Sequence, residues 1–312
     1  MMKRISVFIT LLSICSLFMH LTVSAQTAAG EAAAGEVGTA QAGVAQAEVT
    51  ETDSTVTIHR IELIDNSVLI GSILFEDSTT VLFKTISGIE IGIPRDKIES
   101  HEIITGQLVR GKLWRKDPNT TRLLFAPTAR PLRKGQGYFA AYEIFFPMIA
   151  YGITDFFTLA GGMTLIPGAP EQLFYIAPKL TFLREEKFDL SAGILYGNLI
   201  GGGEGGGIAY GVGTYGSDRQ ALTFGLGYGF SGGDFANNPV LLIGGELQSS
   251  KSTKLITENW IIMGEDIVIY SLGMRFFGEN LAADFGFIGV NRETSGFPLM
   301  PWVGFAYNFD NK

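Results

Sequence analysis

The stretch Ala221–Phe230 constrains the fold of this chain more than any other. Read with a period of two, one face carries Leu, Phe, Leu, Tyr and Phe, while the other carries only Ala, Thr and Gly. A strand of a water-soluble sandwich would set its apolar face against a charged or hydroxylic one. A small, weakly polar second face suits the inside of a closed barrel whose outside contacts lipid. Residues Trp302–Phe309 repeat this alternation.

The same pattern predicts an all-β fold, with a transmembrane antiparallel β-barrel of about twelve strands over residues 120–312. Most segments reach the roughly 9–11 residues that a tilted strand needs to cross a bilayer. A water-soluble sandwich with as many strands is the alternative. The predicted strands are 121–128, 138–152, 156–166, 173–184, 188–199, 207–216, 220–231, 240–249, 254–262, 267–277, 281–290 and 299–309.

The connections between these segments alternate in length. Tight turns, as at 154–155 and 217–219, alternate with longer connections rich in Gly and Pro, as at 130–136, 232–239 and 291–298. Short turns on the periplasmic side and longer loops outside are typical of outer-membrane barrels. The connection at 263–266 breaks the trend.

The last strand carries a family resemblance. Trp302–Phe309 resembles the alternating, aromatic-ended strand of bacterial outer-membrane, porin-like β-barrels, although Asp310, Asn311 and Lys312 follow it. The resemblance covers residues 120–309 and implies a location in the outer membrane, in contact with its lipid and lipopolysaccharide. It indicates no particular solute.

The N-terminal part of the chain indicates secretion. Residues 1–25 have the form of a signal peptide, in which Lys3 and Arg4 precede an apolar run and Val23-Ser-Ala25 supplies a cleavage site. Its removal would take away Cys15, the single cysteine, and with it any disulfide or cysteine-based metal site. Residues 26–53, rich in Ala and Gly, are predicted to be a disordered tether.

Residues 54–104 contain five short β-type runs, which predict a small five-stranded domain. The run from Leu63 to Asp77, followed by Gly88–Ile98, resembles an Sm-like small β-barrel. Ser78, Thr79 and Thr80 stand where RNA-binding members have an Asn, and the domain lacks a basic patch, so no nucleic-acid partner is predicted. A periplasmic protein partner is the preferred hypothesis for this domain.

Residues 105–119 form a basic connector around Trp114, which suits either a membrane interface or an ordinary solvated linker.

The charged residues of the barrel are the candidate functional residues. Charges facing lipid near the midplane would cost roughly 2–4 kcal/mol for Arg or Lys, so the alternation is extended to place them in the lumen. The lumen-lining candidates are Arg122, Glu143, Lys179, Asp189, Glu246, Arg275 and Asp284, and a Glu143–Lys179 pair is one expectation. Arg130, Arg133 and Lys134 in the first loop are candidates for contact with lipopolysaccharide phosphates.

Catalysis is disfavoured, because the chain's histidines are His20, His59 and His101, all outside the predicted barrel. No cofactor or metal is predicted, since the glycines of Gly211–Gly216 precede a strand rather than a helix. The leading function is passive passage of small solutes. The alternative is a closed structural or assembly barrel that anchors a periplasmic interaction domain.

Overall fold

The structure is a computed structural model that describes residues 58–104, 106–109, 112–291 and 299–310. The predicted signal peptide and the tether lie outside the described residues. Among the residues that are described, no helix is long and apolar enough to cross a bilayer.

Five short strands form an antiparallel sheet in the order β4-β3-β2-β1-β5. Their core is built by Ile61, Val81, Phe83 and Ile93, which come from alternate positions of β1, β3 and β4. The predicted five-stranded sheet is therefore confirmed, whereas the Sm-like resemblance stays a prediction. The strands are β1 (Ile58–Leu63), β2 (Val68–Glu76), β3 (Thr80–Thr85), β4 (Glu90–Pro94) and β5 (Ile98–Ile104), with a 3-10 helix at Arg95–Lys97.

A two-stranded hairpin, β6 (Gly106–Val109) and β7 (Lys112–Arg115), follows the small sheet.

The larger sheet has thirteen strands, of which β15 (Asp234–Phe235) pairs only with β14. The other twelve form a closed wall, because β8 pairs with β20 and β13 pairs with β14. The predicted antiparallel barrel is therefore confirmed. The wall strands are β8 (Gln136–Tyr142), β9 (Phe146–Gly152), β10 (Phe157–Met163), β11 (Leu173–Arg184), β12 (Phe188–Leu199), β13 (Gly206–Gly216), β14 (Gln220–Ser231), β16 (Val240–Ser250), β17 (Thr253–Ile262), β18 (Ile267–Phe277), β19 (Leu281–Val290) and β20 (Leu299–Asp310).

The alternation along β14 separates the two faces of the wall as predicted. Leu222 and Phe224 are 52% and 54% exposed on the outside, whereas Thr223 between them is fully buried inside. The same division runs along β18, where Leu272 is 65% exposed and Arg275 is buried. A continuous outer face of exposed Leu, Phe and Tyr is what lipid contact requires.

Two of the predicted strands are wrong, and the errors cancel in the strand count. Residues 121–128 are not part of the wall but lie inside it. The segment 138–152 is two strands, β8 and β9, joined by a turn in which Glu143 and Ile144 have positive φ values of 48° and 67°. Neither residue type favours that conformation, so the composition gives no turn signal there.

The outer face of the barrel can be tested with one charge placed at two depths. Leu272→Arg, in the middle of β18, is expected to lower the free energy of unfolding by about 2–4 kcal/mol in lipid vesicles. Leu281→Arg, at the end of β19, is the matched control and should cost no more than about 1 kcal/mol, because its side chain reaches the membrane interface. Urea titration of the refolded barrel measures both. Equal, small effects at the two positions would mean that this face contacts water.

A pair of histidines joins the first and last strands of the small sheet. His59 Nδ1 lies 2.8 Å from His101 Nε2, and the ring centroids are 4.9 Å apart. Partial burial and the neighbouring His101 ring lower the pKa of His59 below its usual 6.5. The unfolded chain then takes up its proton at a higher pH than the folded sheet does. The contribution of neutral His59 to the stability of the sheet is therefore fully present above about pH 6.5. It is lost as the pH is lowered toward the pKa of His59 in the folded sheet.

Acidification is expected to loosen the pairing of β1 with β5. Amides of these strands should exchange faster with solvent at pH 5.5 than at pH 7.5, after correction for the intrinsic rates, as measured by hydrogen-exchange mass spectrometry. His59→Gln should remove most of the difference. An unchanged pH response in that variant would show that another group is responsible.

Candidate functional site

The lumen of the barrel is occupied by residues 117–132 of the same chain, here called the inner segment. It begins at the end of the barrel that carries the short turns, where Lys116 Nζ lies 2.8 Å from Asp218 Oδ2. The guanidinium of Arg219 stacks over the Trp114 ring at 4.6 Å. Trp114 and Lys116, which the sequence predicted to lie at a membrane interface or in a solvated linker, thus contact a turn of the barrel.

The inner segment is a tight hairpin. Thr128 N donates to Thr121 O at 3.0 Å, and Leu123 N donates to Ala126 O at 2.8 Å. Arg122 and Pro127 form an isolated bridge between these bonds. Residues 121–128 therefore have the composition of a strand, but they form a hairpin whose two halves pair with each other and not with the wall.

The tip of the hairpin forms the apolar core of the barrel. Leu123 and Leu124 are buried among wall residues that include Tyr142 and Trp302. The wall makes room for them with glycine, because a Cβ added at Gly244 would lie 2.1 Å from Leu123 Cδ1.

Buried charged side chains of the inner segment and the wall form one continuous chain of ion pairs. Cations and anions alternate along it. In order, it runs Arg130, Glu246, Lys254, Asp117, Arg275, Asp284 and Arg122.

Asp117 lies at the centre of this chain of ion pairs. Lys254 and Arg275 are register partners on neighbouring strands, where two like charges repel. The Asp117 carboxylate lies between them, with Oδ2 at 3.0 Å from Lys254 Nζ and 3.1 Å from Arg275 Nη1. The inner segment thus supplies the carboxylate that separates the two facing cations.

Ion pairs also fix the two ends of this chain of charges. Arg275 Nε donates to Asp284 Oδ1 at 2.6 Å, and Arg122 Nη1 donates to Asp284 Oδ2 at 2.5 Å. At the other end Arg130 pairs with Glu246, whose second oxygen lies 3.3 Å from Lys254 Nζ.

Wall side chains also satisfy the hairpin's backbone. Glu258 accepts the N–H groups of Phe125 and Ala126 at 2.8 and 2.9 Å. Lys179 Nζ donates to the carbonyls of Thr128 and Arg130, both at 2.7 Å. These contacts replace the hydrogen bonds that a ladder would have supplied.

Further hydroxyl groups complete this set. Ala129 O accepts from Thr181 and Ser191, Ala129 N donates to Thr214 Oγ1 at 2.9 Å, and Leu132 N donates to Thr158 Oγ1 at 3.1 Å.

The structure brings most of the predicted lumen residues together. The members that meet around the inner segment are Arg122, Lys179, Glu246, Arg275 and Asp284, with Arg122 on the segment rather than on a wall strand. Asp189 is half-buried near the short-turn end of β12. The expected Glu143–Lys179 pair is wrong, since Glu143 lies in the turn after β8 and accepts from Val303 N at 2.9 Å.

Three participants were missed by the sequence interpretation. Lys254 and Glu258 share the inward face of β17 with Ile256, so a stricter use of the alternation would have found them. Asp117 lies before the predicted barrel, and no signal in the sequence places it in the lumen.

The first predicted external loop is also wrong. Arg130 is only 8% exposed and binds Glu246 and Ser217 O inside the barrel, so it does not face lipopolysaccharide. Arg133 and Lys134 are near the short-turn end, where Lys134 N donates to Asp155 Oδ1 at 3.1 Å. The chain returns through the lumen to this end before β8 begins.

A cavity of about 110 Å³ remains beside the inner segment. Most of its lining residues come from wall strands β8 to β14, with Val240, Leu242 and Trp260 from β16 and β17, whereas the wall residues of the ion pairs lie on β16 to β19. The hairpin therefore fills the lumen unevenly.

The role of Asp117 can be measured directly. Asp117→Asn is expected to lower the free energy of unfolding of the barrel by about 3–5 kcal/mol, because Lys254 and Arg275 remain buried without their shared partner. Asp218→Asn removes the exposed partner of Lys116 and is the control, with an expected cost below about 1 kcal/mol. Urea refolding curves in detergent compare the two variants. Similar small losses would show that the central charges are hydrated.

Comparison with known proteins adds little beyond the architecture. A scan against protein-family models and a search of curated proteins gave no match. Among solved structures, a KdgM porin in complex with disordered oligogalacturonate is similar at 10% identity and a TM-score of 0.44, over 56% of this chain and 98% of that one.

Two further structures show a weaker likeness. Omp33 of Acinetobacter baumannii has 10% identity and a TM-score of 0.36, over 56% of this chain and 95% of that one. OmpT of Vibrio cholerae has 14% identity and a TM-score of 0.31, over 81% of this chain and 95% of that one. Likenesses of this size do not identify a solute. The closed wall of twelve strands and its apolar outer face give the protein the fold of a transmembrane antiparallel β-barrel.

Proposed function

We propose that the protein is an outer-membrane channel for small solutes that its own inner segment keeps closed at rest. The observation that carries this proposal is the polar contact between the hairpin and the wall. A permanent core of this volume is stabilised as well, or better, by apolar residues, because burying ion pairs costs much of their attraction. Charges on both surfaces favour a contact that water can replace when the hairpin leaves.

The uneven filling of the lumen supports the same function. Twelve strands enclose more space than an eight-stranded barrel, whose side chains fill its interior. Displacement of the hairpin toward the short-turn end would join its volume to the existing cavity. The exposed wall would then carry Glu246, Lys254, Arg275 and Asp284, which are compatible with a hydrated passage.

The connection to the small sheet suggests how the hairpin is moved. The short-turn end, where the chain enters, is proposed to face the periplasm, together with residues 54–104. A periplasmic protein that binds the small sheet could then pull on the connector and on the Lys116–Asp218 contact.

A closed structural barrel is the second candidate. The complete pairing of the central charges favours it, since a network with every partner in place is rigid. In that case the barrel anchors the small sheet and passes no solute.

Conductance separates the two functions. The wild-type protein in planar bilayers is expected to be closed for most of the recording. Replacement of residues 117–132 by a Gly/Ser linker of equal length should give steady conductance, because the linker has neither the apolar tip nor the charges. Heat-shift on detergent gels verifies that each barrel is folded. A folded, inserted linker variant that never conducts would exclude the channel.

A wall substitution tests displacement without altering the hairpin. A Cβ at position 244 would lie 2.1 Å from Leu123 Cδ1. Gly244→Val should therefore displace the hairpin and raise the fraction of the recording in which the channel is open. Gly245→Val is the matched control, since its Cβ would meet no atom closer than 3.5 Å. Equal open fractions in the two variants would contradict gating by the hairpin.

A further inference from the structure

The cavity beside the inner segment has mostly apolar walls. Ala150, Ala177, Leu195 and Ile208 are among the residues that line it, from four different strands. Its volume of about 110 Å³ approaches that of an engineered apolar cavity of roughly 150 Å³ that holds benzene. An apolar group of three or four carbon atoms therefore fits.

Arg122 lines this cavity and is only partly used by the protein. Its Nη1 donates to Asp284 and to the carbonyls of Leu123 and Leu124. Its Nε and Nη2 have no hydrogen-bond partner among the described residues, although the side chain is 2% exposed. A buried charged donor without a partner costs more than the roughly 1–3 kcal/mol of a neutral one.

The unused edge has a specific shape. Nε and Nη2 are the two parallel donors with which a guanidinium binds both oxygens of a carboxylate. Thr121, the preceding residue, also lines the cavity, and its Oγ1 is buried. A guanidinium edge and a hydroxyl group are thus adjacent in the chain at the cavity.

Cations predominate among the buried charged side chains, and two of them, Arg122 and Lys179, line the cavity. The buried cations of the hairpin and the wall outnumber the buried carboxylates by one. The cations are Arg122, Arg130, Lys179, Lys254 and Arg275, and the carboxylates are Asp117, Glu246, Glu258 and Asp284.

We infer that the cavity is a binding site for a small monocarboxylate, with its two oxygens on Arg122 Nε and Nη2 and its apolar body against Ala177 and Ile208. This site goes beyond the proposed channel function, because it is part of the closed barrel. A carboxylate there supplies the missing partner of Arg122.

Binding is tested on the full-length protein refolded into detergent with butyrate present, so that access does not depend on opening. Butyrate is expected to raise the heat-shift temperature in a saturable way, whereas 1-butanol, butylamine and inorganic phosphate are not. Arg122→Lys keeps the charge beside Asp284 but removes the paired donors, so the butyrate dissociation constant should rise at least about tenfold.

A second pair of variants keeps the test decisive if Arg122→Lys does not fold. Ala177→Phe fills the cavity from the inward face of β11 and should abolish the butyrate effect. Ile176→Phe, on the outward face of the same strand, should leave it intact. The inference is overturned if butanol or phosphate stabilises as much as butyrate, or if Ala177→Phe binds butyrate like the wild type.

Discussion

The position of Asp117 between Lys254 and Arg275 is the contact on which the interior depends. The wall alone places these two cations opposite each other, and the carboxylate that separates them comes from outside the wall. Glu246 and Asp284 pair with these cations from within the wall, but Lys179 and one oxygen of Glu258 receive their partners from the hairpin, so the wall alone leaves charged groups without partners. Closure of the lumen is therefore a property of the hairpin and the wall together.

The two faces of the wall are in different environments, lipid on the outside and the hairpin on the inside. On the outside, lipid requires only that side chains be apolar, so Leu222, Phe224 and Leu272 need no particular partner. On the inside, each polar group requires a specific partner, and Glu258, Lys179 and Thr214 bind particular backbone atoms of the hairpin. The outer face can thus vary in sequence while the barrel is kept, whereas the inner face is fixed by its contacts.

This difference explains how much could be predicted from the sequence. The alternation depends on the apolar outer face, so the wall strands from β11 onward were found within a few residues of their bounds. The turn at Glu143 and Ile144 could not be found, since neither residue marks a turn by type. The residues Thr121–Thr128 read as a strand because β-type composition does not indicate whether the partner is a neighbouring strand or the same segment folded back. The placement of Arg130 failed with that strand, since its position follows from the path of the hairpin.

The same contacts couple folding of the barrel to any opening of its lumen. The hairpin's backbone groups are satisfied by side chains from β10, β11, β12, β13 and β17, which meet only in the closed wall. The hairpin therefore depends on the closed wall for these partners, and the charged groups of Lys179 and Glu258 lack theirs until the hairpin is in place. Water can relieve those charges only if it enters the lumen. Release of the hairpin must consequently be accompanied by hydration of the wall, which is the physical condition for passage of polar solutes.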